Sequence, residues 1–104
     1  MILSNILHLS VKQKPFEVMK TGEKLFEFRK PSKWIISRLM NGTEFRKYDY
    51  VKFTNGYGKD KPSFLARHKG TRIFSFAYGY VEYSNGLKVD VEPGDYIIEF
   101  EIIK

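Results

Sequence analysis

Apolar and polar positions alternate from Asn5 to Val11. Leu7, Leu9 and Val11 fall on one side, and Ile6, His8 and Ser10 on the other. Period-two alternation predicts a strand with one buried face. Gln13 to Thr21 changes to a helical period, with Phe16 and Met19 three apart and Val18 beside them. Pro15 falls near the first turn of that helix, where its missing N–H leaves nothing unpaired. Lys20 suits the last turn, and Gly22 is placed as the left-handed stop. A second strand is predicted directly afterwards, with Lys24, Phe26 and Phe28 opposed to Leu25, Glu27 and Arg29. Residues two apart in a strand point the same way, so Glu27 and Arg29 share a face. Lys24 stands just after the turn and can reach over either face.

Pro31 to about Asn41 predicts a second helix stopped by Gly42. Trp34, Ile35, Arg38 and Leu39 share one side of it, flanked by Ile36 and Met40. Thr43 to Lys47 reads as a polar loop and Tyr48 to Thr54 as a third strand. Asn55 to Pro62 is a glycine-rich basic loop, either a plain strand connection or a flap that lays Tyr57, Lys59 and Lys61 near a ligand. It lacks the GxxxxGK[ST] pattern of a phosphate loop. Ser63 to His68 and Arg72 to Tyr83 are strand-rich, with a turn at Gly70 and a bulge or bend at Gly79. Asn85-Gly86 is a strong hairpin signal, with Leu87 to Val91 as the returning strand. Glu92 to Asp95 forms a turn. Tyr96 to Ile103 is the last strand, with Tyr96, Ile98, Phe100 and Ile102 on one face.

These elements fit one domain spanning residues 1–104, of α+β class. About six or seven strands form a small, mostly antiparallel, strongly bent sheet or β-barrel, with two short helices near the N-terminus. Composition narrows the chemistry. No cysteine is present, which excludes disulfides, thiolate zinc sites and cysteine nucleophiles. His8 and His68 are the only histidines, so no multi-histidine metal site is available, and no cofactor is expected. His8, at the centre of the first strand, reads as a hydrogen-bonded barrel or core residue. No apolar run reaches the ~18 residues of a membrane span. Met1 to Leu9 lacks the basic start and the cleavage site of a signal peptide. A cytoplasmic protein without membrane contact is the expectation.

Charge adds a partner class. The formal net charge is +6, and it is uneven. Up to Arg72 the chain carries 16 Lys/Arg against 6 Asp/Glu; from Ile73 on it carries 2 against 6. A basic block suggests a polyanionic partner. Lys30, Lys33 and Arg38 surround Trp34, which is either a core anchor or a stacking platform for a base. Lys59, Lys61, Arg67, Lys69 and Arg72 are the further candidate nucleic-acid contacts. The densest chemistry lies in Lys24, Glu27 and Arg29, whose spacing permits an ammonium, a carboxylate and a guanidinium around one small volume. The other reading of those three is an exposed strand face with an ion pair worth under ~1 kcal/mol.

The run His8-Leu9-Ser10-Val11-Lys12, the helix from Pro15 to Thr21, and then Gly22, Lys24, Glu27 and Arg29 as G-x-K-x-x-E-x-R resemble the ASCH domain of the PUA-like superfamily. Tyr48 to Phe53 and Tyr96 to Phe100 are similar to that family's third and closing strands, with Tyr48 in place of a glycine. The resemblance implies a PUA-like barrel with helices at its rim and a cleft that holds the lysine, glutamate and arginine together. It also implies RNA or nucleotide binding for many members. One branch comprises small amidohydrolases that remove an acyl group from a modified cytidine, with a lysine at the position of Lys24. In that branch a threonine stands where this chain has Glu27, and a later helix carries a further glutamate, for which Glu82 is the nearest candidate here. Another branch has ribonuclease activity.

Two functions follow as expectations. In the first, the chain binds RNA or a nucleotide. Arg29 grips a phosphate or a base edge, Lys24 adds charge, Glu27 accepts from a base amino group, and Tyr57 or Trp34 stacks. In the alternative, the chain is a small hydrolase. Lys24 acts as base or nucleophile, Glu27 moves the proton and Arg29 stabilises an oxyanion. A third possibility is a protein-interaction domain that takes an acidic peptide in the same cleft.

Overall fold

A computed structural model of the chain describes residues 5–58 and 60–103. The elements run β1 (Ile6–Val11), α1 (Gln13–Lys20), β2 (Phe26–Arg29), α2 (Lys33–Leu39), β3 (Met40–Asn41), β4 (Glu44–Phe45), β5 (Tyr50–Asn55), β6 (Ser63–Ile73), β7 (Gly79–Glu82), β8 (Lys88–Val91) and β9 (Tyr96–Ile102). Five strands form one sheet in the order β1-β5-β6-β9-β2. β1 pairs parallel with β5, and the other three pairings are antiparallel. The sheet is therefore mixed, and it curls into a half-barrel that stops short of closure. Among the described residues no backbone ladder joins its two edge strands, β1 and β2.

The alternation in β1 survives intact: Leu7, Leu9 and Val11 are buried. They meet Val51 and Phe53 of β5, Ala66 of β6, and Ile98 and Phe100 of β9. α1 adds Phe16 and Met19 to this core, and α2 adds Ile35 and Leu39. Phe53 stands 4.7 Å from Phe100 and 5.5 Å from Phe64, ring centre to ring centre. Aromatic pairs add ~0.5–1.5 kcal/mol each beyond the area they bury.

Several expected boundaries move. The second helix is shorter than Pro31 to Asn41. Ser32 caps it by accepting from the Ile35 N–H at 3.1 Å, and it ends at Leu39. Gly42 does not stop that helix. It adopts φ +65° in the tight turn between β3 and β4, so part of the expected polar loop at Thr43 to Lys47 is a strand. Gly70 is not a turn between two strands either. β6 runs on to Ile73, and the register slips between His68 and Gly70. A bulge absorbs an extra residue and bends the strand while the ladder continues. The predicted run from Arg72 to Tyr83 is broken instead over Phe74 to Tyr78, and Gly79 opens β7. β7 and β8 form a separate two-stranded sheet around the Asn85-Gly86 turn. Trp34 is not a core anchor: it is 48% exposed, because Ile35 and Leu39 take the inward side of α2. His8 is not a core residue; it is exposed on the polar side of β1. Among the described residues no helix is long and apolar enough to cross a membrane.

Candidate functional site

α1 delivers the chain into the site. The Gly22 N–H bonds the Met19 carbonyl at 3.1 Å, and the Lys24 N–H bonds the Val18 carbonyl at 2.9 Å. Gly22 makes this reversal at φ +88°, a left-handed conformation that a side chain disfavours. Lys24 leaves the turn pointing inward and is only 1% exposed. Glu27, on β2 opposite the buried Ile98 of β9, is 7% exposed.

The three predicted residues do converge, and Glu27 is the centre. Its Oε1 accepts from Lys24 Nζ at 3.2 Å and from the Phe28 N–H at 3.2 Å. Its Oε2 accepts from Arg29 Nε at 2.9 Å and lies 2.9 Å from Nη2. Lys24 Nζ also donates to the Phe26 carbonyl. The Phe28 ring lies 5.3 Å and the Tyr83 ring 5.9 Å from the same ammonium. Burial pushes the Lys24 pKa down from its usual value. The Glu27 carboxylate opposes that shift by attraction and hydrogen bonding, and Arg29 adds a smaller downward push. A buried ion cluster of this kind is retained only when its hydrogen bonds are made, and here each partner is engaged.

Arg29 differs from Lys24 in being open to solvent. Its Nη2 donates to the Ser10 carbonyl of β1 at 2.8 Å, and a quarter of its side chain is exposed. It lines two adjoining clefts. One, of about 430 Å³, is bounded by His8, Ser10, Arg29, Trp34, Thr54 and Tyr57. The other, of about 460 Å³, is bounded by Ser10, Lys12, Pro15, Glu27, Arg29 and Tyr57, among others. Tyr57 on the β5–β6 loop is 84% exposed. Trp34 also walls a smaller cleft with His8, Arg38 and Tyr48. The Arg38 guanidinium lies over the Trp34 ring, 5.3 Å from its centre, as a cation–π contact. A polar strand face, one oriented guanidinium and two exposed rings thus border a continuous surface.

The other predicted contacts are dispersed. Lys33 and Arg38 lie on α2 beside Trp34. Lys30 is engaged with Asp95 at 2.7 Å and Glu92 at 3.4 Å. On β6, Arg67 and Lys69 pair with Glu101, and Arg72 pairs with Glu99. None of these four borders the clefts around Arg29. Lys61 is exposed near the start of β6, and Lys59 lies outside the described residues. Among the described residues no group of three or more His, Asp or Glu is placed to hold a metal.

Sequence reasoning passed over His8, Ser10 and Thr54 as site residues. The signal was present in β1, where His8 and Ser10 occupy the polar side of the alternation. Their importance depends on α2 and the β5–β6 loop facing that side, which spacing alone does not show. Comparisons of the chain with protein-family models, with curated proteins and with solved structures found no match.

Proposed function

We propose that this chain is an RNA- or nucleotide-binding module of the ASCH type, in the PUA-like superfamily. The ligand lies in the clefts bordered by β1, α2 and the β5–β6 loop. One observation carries the reading: Arg29 is fixed by Glu27 and by the Ser10 carbonyl while still open to a surface flanked by the exposed rings of Trp34 and Tyr57. A held guanidinium suits a phosphate or a base edge, and exposed rings suit unpaired bases. The family assignment is supported by the G-x-K-x-x-E-x-R spacing and by the convergence of its three charged residues.

Trp34 is the only tryptophan, so its fluorescence reports directly on the cleft. Titration with short single-stranded RNA and with nucleoside monophosphates at low salt is expected to quench it. The affinity is expected to fall steeply as salt rises. Absence of binding to every such ligand at low salt would sink the proposal.

The hydrolase reading retains one supporting observation, the lowered Lys24 pKa, which suits a general base. Against it, Lys24 is shielded and does not border the clefts that Arg29 lines. Turnover of acylated nucleosides or of RNA, abolished by Lys24→Ala, would establish it.

A further inference from the structure

The hairpin of β7 and β8 makes no backbone ladder with the five-stranded sheet. Its base is fastened by two bonds, Phe74 N–H to the Asp95 carbonyl and Gly94 N–H to the Phe74 carbonyl, each 2.8 Å. Its tip reaches back to the N-terminal third of the chain. Ser84 donates to the Glu23 carboxylate from its backbone N–H at 2.8 Å and from Oγ at 2.5 Å. Asn85 Nδ2 donates to the Lys14 carbonyl of α1 at 2.9 Å. Between base and tip the hairpin presents Tyr83, whose ring faces Lys24 Nζ. Glu23, which holds the tip, is the residue next to Lys24.

We propose that this hairpin is a strap that governs access to Lys24. With the tip fastened to Glu23 and Lys14, Tyr83 covers the ammonium and Lys24 is withheld from ligands. The fastenings of the tip are polar contacts on an exposed surface, where water competes for every partner, whereas Val91 near the base is buried. The half-barrel, by contrast, is held by continuous ladders around a buried core. The strap therefore opens locally while the half-barrel stays folded. Opening hydrates Lys24 and so exposes a second cation, held like Arg29 by the Glu27 carboxylate. Only the consequence for ligand affinity rests on the anionic-ligand reading above; the opening itself does not.

Acetic anhydride labelling of the full chain, read lysine by lysine by mass spectrometry, tests the strap. Lys24 is expected to label far more slowly than the exposed Lys33. In Glu23→Ala and Ser84→Ala its labelling is expected to accelerate roughly tenfold or more, with the near-ultraviolet dichroism retained. Unchanged Lys24 labelling in folded variants would overturn the proposal, because the half-barrel alone would then account for the shielding. If the variants do not fold, hydrogen exchange of the wild-type chain decides. Amides of β7 and β8 are expected to exchange well before those of β6 and β9; exchange of all four strands together would overturn it. Oligonucleotide affinity is expected to rise severalfold in the same variants. Accelerated labelling with unchanged affinity for a bound oligonucleotide would remove the regulatory role. Failure of all binding would sink the ligand reading and leave the labelling result standing.

Discussion

Arg29 on β2 donates from Nη2 to the Ser10 carbonyl on β1 at 2.8 Å, and so joins the two edge strands of the half-barrel through a side chain. The same guanidinium is held from the other side by Glu27 and borders both clefts. The residue that fastens the seam is thus also the residue best placed to meet a ligand.

This dual position makes Arg29→Lys a demanding test. A lysine keeps the charge but cannot offer two directed donors in a plane. Binding of single-stranded RNA is expected to weaken tenfold or more, with a stability loss of ~1–2 kcal/mol from the lost bonds to Glu27 and Ser10. Fluorescence titration and urea unfolding measure the two effects. Full affinity in Arg29→Lys would show that charge alone suffices.

Trp34 separates binding from folding. It is half-exposed, and the inward positions of its helix belong to Ile35 and Leu39. Trp34→Ala is expected to reduce affinity by ~1–3 kcal/mol, the range for one stacked base. The urea midpoint should move little. Because the substitution removes the fluorophore, anisotropy of a labelled oligonucleotide is the measurement. An unaltered affinity would exclude stacking at this position.

Glu27 is the keystone of the buried cluster. Glu27→Ala leaves Lys24 buried without its carboxylate and frees Arg29. Breaking one side of a buried pair typically costs ~3–5 kcal/mol. Lys24→Met removes the buried cation while Glu27 keeps Arg29, and is expected to cost clearly less. Chemical denaturation of both variants decides the order. Equal losses would mean that Glu27 has no role beyond neutralising Lys24.

His68 is expected to contribute to the acid limb of stability. Its Nδ1 lies 3.2 Å from the Tyr48 carbonyl and its Nε2 3.0 Å from Thr71 Oγ1. Burial lowers its pKa below the ordinary 6.5, against a smaller upward effect from the Tyr48 carbonyl. Below pH 6.5 the unfolded chain binds a proton that the folded chain resists, so unfolding is favoured as pH falls. The stabilisation is fully present above that pH and is lost as pH falls towards the lowered folded value. His68→Gln is expected to flatten the urea midpoint between neutral and mildly acidic pH. An unchanged slope would place the acid sensitivity elsewhere.

Gly22 tests the entry to the site. Alanine at φ +88° is strained, although Ile102 Cγ1, 3.8 Å from the added carbon, leaves room for it. Gly22→Ala is expected to lose ~1–2 kcal/mol through backbone strain. Thermal unfolding checks this, and a neutral substitution would mean that the turn relaxes freely.

The sequence alone determined β1, α1 and the strand that follows Gly22, and the face that β1 buries. Alternation in β1 marked Leu7, Leu9 and Val11 as the buried side, and they are; Ile98 and Phe100, read as one face of β9, are buried as well. Gly22, the Asn85-Gly86 turn and the shared side of Glu27 and Arg29 were readable because each depends on neighbours a few residues away. Tertiary structure decided what those patterns leave open. The spacing of Trp34 is the same whether α2 turns Trp34 or Ile35 and Leu39 to the core, and packing chose the latter. The β6 bulge replaced the expected turn at Gly70 because pairing with β9 continues on both sides of it. Arg67, Lys69 and Arg72 form a basic block in sequence but meet Glu101 and Glu99 across the sheet. Ser10 faces Arg29 because the sheet curls until its two edges approach, and curvature arises from the assembled strands together.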